Sequence, residues 1–220
     1  MTSTSKPALV SDLIGASLGG LSATRIDDET PDRVRADQLR ERVWRQIPKH
    51  LIDRPLKPEF QRLVDEFDWT HSFLLLGHTG AGKSTACVHL VRRLLRDGVK
   101  QGGAAFDRAK SIFWTRADTI TRAGVGDELS DHQLLHRAKH AKLVIIDDMA
   151  EASKTMLGVL QARYDSPDPR PMVVTSGAVD VSELERRLGG EAVVRWILDC
   201  GGVKHGVVLH SAAAKKAGGK

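Results

Sequence analysis

Nine consecutive residues, Gly77-His78-Thr79-Gly80-Ala81-Gly82-Lys83-Ser84-Thr85, constrain this 220-residue chain more than any other stretch. They match the pattern G-x-x-x-x-G-K-[ST], and their flanks give the match its meaning. Ser72-Phe73-Leu74-Leu75-Leu76 reads as a short buried strand, and Thr85 to Arg96 as an amphipathic helix. Glycines between a strand and a helix adopt torsions closed to other residues. Successive N–H groups then turn inward at a helix N-terminus, where the helix dipole favours negative charge. The alternative, a glycine turn that binds nothing, leaves the Lys-Ser pair without a role. The expected ligand is a nucleoside triphosphate, ATP, held by Gly77 to Thr85, with Lys83 on the β- and γ-phosphates and the Ser84 hydroxyl on Mg²⁺.

The length suits one α/β domain with a short appendage, since domains run to about 100–200 residues. The formal charge of +5 favours an acidic partner such as nucleic acid. Cys87 and Cys200 are too few for a disulfide framework or a four-ligand zinc site, and Cys87 reads as a small buried thiol. No run of about 18 apolar residues occurs, so no membrane span is expected. Asp12 and the glycines around it break the faint signal-peptide pattern of residues 8–21. A cytoplasmic location is expected.

Residues 1–30 are rich in Ser, Thr, Gly and Ala without periodicity and read as a flexible tail. Over 31–47, Val34, Leu39, Val43 and Ile47 recur among charges, which predicts an amphipathic helix or linker with Pro31 in its first turn. Arg33, Arg35, Arg40, Arg42 and Arg45 give it a basic face, either a phosphate contact or simply a solvated surface. The ATPase domain is placed at 48–220. A short helix from Glu59 to Asp68 comes first; Asp97-Gly98 is expected to end the helix after the phosphate loop, and Gln101-Gly102-Gly103 to mark a loop. Strands are expected at Ser111–Thr115, Leu143–Asp148, Pro171–Ser176 and Val207–Leu209. Helices are expected at Ala117–Ala123, Asp131–His140, Glu151–Arg163, Asp180–Leu188 and Glu191–Leu198.

The strand Leu143-Val144-Ile145-Ile146-Asp147-Asp148 carries the second chemical signal. Four apolar residues ending in two carboxylates describe a buried parallel strand whose C-terminal tip faces the ligand crevice. Asp147 is placed to hold Mg²⁺, directly or through water, and Asp148 to orient or deprotonate the attacking water. A turn or helix cap is the plainer reading of Asp-Asp, but its position downstream of the loop favours the metal.

These residues together resemble the DnaC/IstB group of AAA+ ATPases, which includes helicase loaders and transposition helpers. The resemblance covers roughly residues 48–210. It rests on the phosphate loop, on Leu143 to Met149, on Ala162-Arg163-Tyr164, on Val173-Val174-Thr175-Ser176, and on Leu184-Glu185-Arg186-Arg187-Leu188-Gly189 leading to Arg195. It implies an α/β P-loop NTPase fold of AAA+ type, with a five-stranded parallel sheet in the order 5-1-4-3-2 flanked by helices. It also implies self-assembly, with Arg195 as an arginine finger in trans and Arg186 and Arg187 as competitors. The partners implied are DNA, single-stranded, and a replicative helicase or transposase. Gly177 stands where these proteins usually carry a γ-phosphate-sensing Asn, which leaves Thr175 or Ser176 as substitutes, and Ser176 is counted among the catalytic residues. The late arginine of many relatives has no counterpart after His210, where lysines such as Lys215 and Lys216 stand.

Other functions compete with this one. A nucleotide-gated DNA-binding adaptor with weak hydrolysis fits the Gly177 departure. A P-loop small-molecule kinase would show an arginine-bearing lid, which is not evident. An ABC-type signature at Leu129-Ser130-Asp131-His132-Gln133 fails because Asp131 and His132 replace both required glycines.

Overall fold

Runs of apolar residues at 73–76, 112–114, 143–146 and 172–174 leave no polar face to meet water, so each must be covered on both sides, the signature of a parallel sheet between helical layers. The computed structural model describes residues 30–168, 170–200 and 206–211. Five strands, β1 (Phe73–Leu76), β2 (Ile112–Arg116), β3 (Leu143–Asp147), β4 (Met172–Ser176) and β5 (Val207–His210), form one parallel sheet in the order β2-β3-β4-β1-β5. Read from the β5 edge this is 5-1-4-3-2, the expected order. Residues 1–29, Pro169, Lys215 and Lys216 lie outside the described residues.

Strand alternation divides the core in two. Phe73, Leu75, Ile145 and Val173 face one layer, with α1 (Pro31–Arg42), α2 (Gln61–Glu66) and α3 (Lys83–Gln101). Leu74, Leu76, Val144, Ile146 and Val174 face the other. There they meet α5 (Ala117–Ala123), α6 (Leu129–His140), α7 (Lys154–Tyr164), α8 (Val181–Leu188) and α9 (Glu191–Leu198). Among the described residues no helix is long and apolar enough to cross a membrane.

The expected helix over 31–47 keeps α-helical bonding only to Arg42. A 3₁₀ turn at Trp44–Gln46 carries the chain to Ile47, whose ψ of 131° is the extended value required before Pro48. Leu39, Val43 and Ile47 are nevertheless buried in the first layer. Gln46 Oε1 accepts the Trp114 N–H at 3.0 Å, satisfying part of the exposed edge of β2.

Two local expectations fail for tertiary reasons. Asp97-Gly98 does not end the helix: α3 runs through to Gln101, and Gly98 is the point where α4 (Gly103–Lys110) crosses it. A Cβ at Gly98 would lie 2.6 Å from that of Ala109, so this glycine serves close approach, not termination. The loop expected at Gln101-Gly102-Gly103 is a single kink between two helices, with Gly102 at φ 63°.

Arg163 is the largest fully buried side chain. Its guanidinium donates to the carbonyls of Ala138 (3.0 Å), Lys139 (3.3 Å), Ala141 (3.0 Å), Arg170 (2.7 Å) and Pro171 (2.9 Å), tying the end of α6 to the start of β4. Burial pulls its pKa down to about 10, with Cys200 opposing, so it stays charged at neutral pH.

Candidate functional site

The glycine loop begins where β1 ends. Gly77, at φ 138°, donates its N–H to Ala178 O at 2.8 Å, fastening the loop to the chain that leaves β4. A Cβ here would lie 2.2 Å from Ser211 Oγ, so both torsion and space demand glycine. Gly82, at φ 99°, caps α3, and the Lys57 stem lies 3.1 Å from where its Cβ would be. Lys83 opens the helix and folds back over the loop, donating to Gly77 O at 2.5 Å and His78 O at 2.9 Å. Burial lowers its pKa while Asp147 and Asp148 act to raise it.

The Ser84 hydroxyl, one residue on, donates at 2.7 Å to Asp147 Oδ1, a residue that β3 delivers from 63 positions away. Thr175 on the neighbouring strand donates to the same oxygen at 2.7 Å, and its hydroxyl accepts the Asp148 N–H at 2.9 Å. The sheet thus brings the phosphate loop and the acidic strand tip into one hydrogen-bonded cluster. Asp148 has left the strand: its φ of 61° is left-handed, and its largely exposed carboxylate meets Arg116 Nη2 at 3.3 Å. A hydroxyl and a carboxylate 2.7 Å apart are the hard oxygen donors that suit Mg²⁺, which takes one or two protein ligands and completes its shell with phosphate and water.

A cleft of about 250 Å³ opens over this cluster. One side is Thr79, Gly80 and Lys83 to Thr85 with Asp147 and Asp148; the facing wall comes from Pro48, His50, Leu51 and Arg54. That wall is moored to α3, since His89 Nε2 lies 2.9 Å from Arg54 O and Arg92 donates to Ile52 O at 2.8 Å. Larger depressions exist elsewhere, but they hold neither the glycine loop nor the paired carboxylates.

Ser176 does not reach the cleft. Its hydroxyl is fully buried and donates to Met149 O at 2.6 Å, because adjacent residues of β4 point to opposite faces and Thr175 holds the face toward Asp147. Gly177 lines the cleft, with Arg187 Nη1 the nearest atom, 3.9 Å from where its Cβ would stand. Arg187 pairs with Glu183 on α8. Arg195 lies on α9, outside the cleft lining, 62% exposed and 3.8 Å from Asp199. Sequence reasoning missed Arg116 and the wall of residues 48–54. Arg116 had a signal, since it is the polar tip of an apolar strand, as Asp147 is. The wall had none, because its position depends on how residues before β1 wrap α3.

No protein-family model matches the chain, and no curated protein matches it. Among solved structures it is similar to the crystal structure of DnaI, at 16% identity and a TM-score of 0.48, with 91% of this chain and 94% of that one covered. It is also similar to the Aeropyrum pernix ORC1 protein in complex with DNA, at 16% identity and a TM-score of 0.42, with 75% of this chain and 48% of that one covered.

Proposed function

We propose that this chain binds ATP with Mg²⁺ and hydrolyses it as an ATPase of the DnaC/IstB type. In this reading it assembles with copies of itself and acts on DNA or a DNA-bound partner, as a replicative helicase loader or transposition helper. The observation that carries the ATPase reading is the Ser84–Asp147–Thr175 cluster at the start of the helix that follows the glycine loop. The net charge of +5 and the resemblance of the sequence to that family support the DNA part.

Each residue then has a task. The loop from Gly77 to Thr85 cradles the phosphates through backbone N–H groups, and Lys83 exchanges its carbonyl contacts for the β- and γ-phosphates. Ser84 and Asp147 would hold the metal. A magnesium ion held there would supply positive charge against the charge that develops on the phosphate oxygens. Asp148, exposed above the cluster, orients a water for attack and takes its proton as the O–P bond forms and ADP departs. Thr175 fixes the Asp147 carboxylate and the Asp148 backbone, and Arg116 supplies a cation at the rim. Arg195 in trans would meet the γ-phosphate of a neighbouring copy, a role that rests on the resemblance and fits its exposure.

Titration with a fluorescent ATP analogue, paired with a phosphate-release assay, tests this. Wild type should bind and turn over with Mg²⁺, and Lys83→Ala should lose binding. Equal binding by Lys83→Ala would sink the reading. A second reading, a nucleotide-gated adaptor that hydrolyses poorly, is favoured by the absence of a side chain at Gly177. Tight binding without phosphate release, with or without DNA, would select it.

A further inference from the structure

The basic face of α1 is only partly neutralised. Arg35 pairs with Asp32, Arg40 with Asp37 and Arg45 with Glu41. Arg42 has no such partner among the described residues and instead lines a depression of about 160 Å³ with Lys110, His136, Arg137 and His140. This depression sits at the N-terminal ends of β2 and β3. It is opposite the nucleotide cleft, which Arg116 and Asp147 reach from the other ends of the same strands. Four residues at about 3.3 Å each separate the two ends by about 13 Å.

Helix ends alone do not explain this charge. Arg42, Lys110 and Arg137 stand in the last turns of α1, α4 and α6, where a cation complements the dipole. Three helix C-termini present about −1.5 charges in total. Against them stand Arg42, Lys110 and Arg137, joined at the margin by Lys139 and Arg170. Three of the α6 end carbonyls are in addition already engaged by buried Arg163. No carboxylate lines the depression, and Arg137 lies over the Phe113 ring at 4.4 Å. Burial and then the nearby Arg42 lower the Arg137 pKa, as expected where cations crowd without a counter-anion.

A second cavity of about 570 Å³ adjoins the first, the two sharing Ser111. Its character differs. Trp69 forms part of its wall with Arg108 5.9 Å over the ring, and its charges balance, Asp68 and Asp107 against Arg108 and Lys142. Trp69 is held at a left-handed φ of 69° by a turn in which Asp68 accepts the N–H groups of Thr70 at 2.9 Å and His71 at 3.2 Å. Strain of this kind in a non-glycine residue persists only where its surroundings enforce it.

An acidic peptide would push its second carboxylate against Asp68 and Asp107. A phosphate with a flat neutral ring beside it suits both halves. We propose that this pole of the molecule is a nucleic-acid site, with a backbone phosphate between Arg42, Lys110 and Arg137 and the neighbouring base in the cavity walled by Trp69. The site is separate from the ATP cleft, and its assignment rests on the reading that the chain works on DNA.

The test is anisotropy of a labelled single-stranded oligonucleotide over a salt series, comparing wild type, Arg42→Gln/Arg137→Gln and Arg42→Lys/Arg137→Lys, with ATP-analogue binding measured on each. The Gln pair should bind at least about tenfold more weakly, and its log–log salt slope should flatten by about 0.7, the value for one phosphate contact on a single strand. The Lys pair should keep the wild-type slope, and all three should bind ATP alike. Lys110→Gln repeats the test at one charge, away from the Arg137–Phe113 contact, should the Gln pair misfold. An oligonucleotide carrying 5-iododeoxyuridine should photocross-link to Trp69. Wild-type oligonucleotide affinity in the Gln variants would overturn the site while leaving the DNA reading intact. Poly-glutamate competing as well as oligonucleotide per charge would reassign the pole to an acidic protein. A wild type that binds no oligonucleotide would remove the DNA reading and this site together.

Discussion

Thr175 joins the two acidic residues of the site: its hydroxyl donates to Asp147 Oδ1 at 2.7 Å and accepts the Asp148 N–H at 2.9 Å. One side chain thereby sets the carboxylate assigned to the metal and the backbone of the residue assigned to the water. Ser176, its neighbour in sequence, spends its hydroxyl on Met149 O, away from the cleft.

Thr175→Val keeps the shape and removes the hydroxyl. A hydrogen bond to a charged group contributes about 1.5–3 kcal/mol, and a comparable loss in the transition state would slow turnover about tenfold to a hundredfold. Ser176→Ala should leave turnover within about twofold and cost about 1 kcal/mol of stability. Phosphate-release rates and thermal melts on both variants decide the matter. The reverse ranking would return the role to Ser176.

Asp148→Asn is a clean probe because Asn tolerates the left-handed backbone that Asp148 adopts, φ 61°. ATP binding should persist and turnover fall by about 10²–10⁴, the usual contribution of a positioned general base. Turnover near the wild-type rate would end the role proposed for Asp148.

The parts legible in the sequence were those whose chemistry is local. The glycine loop, the apolar strand ending in Asp147 and the helices α8 and α9 each announce themselves within a dozen residues. What escaped depends on the sheet and on distant segments. Strand parity separates Thr175 from Ser176, but only the pairing of β4 with β3 says which face holds Asp147. Gly98 looked like a helix stop because no local pattern reveals Ala109 lying against it. The wall at His50 and Arg54 comes from wrapping around α3, and Arg163 finds its acceptors on segments between 7 and 25 residues away.

Arg163→Met should destabilise strongly, since it removes the buried guanidinium toward which five backbone carbonyls are turned. Removing one side of a buried charged arrangement costs about 3–5 kcal/mol, which for a chain of this size lowers Tm by about 6–20 °C. Arg163→Lys should also melt lower, because three ammonium donors cannot span the fork of a guanidinium. Circular dichroism melts check both, and a Lys variant as stable as wild type would contradict the account.

Arg195→Ala should bind ATP as wild type does and lose turnover, with a loss of about 10³–10⁵ if the residue is an arginine finger. Mixing it with Asp148→Asn should restore part of the activity, since a mixed interface pairs an intact Asp148 with an intact Arg195. No recovery at any mixing ratio would remove the trans arrangement and turn attention to Arg187, beside Gly177 at the cleft.

The phosphate loop is gripped from two distant segments, one before α2 and one after β5. Lys57 lays its stem along Gly82 and reaches Gly80 O at 3.4 Å, while Ser211, just past β5, fills the space beside Gly77. Whatever displaces the segment before Pro58 or the segment after His210 moves the floor on which the phosphates rest. The two segments are levers on the site, so a protein docked on either one becomes an input to nucleotide affinity.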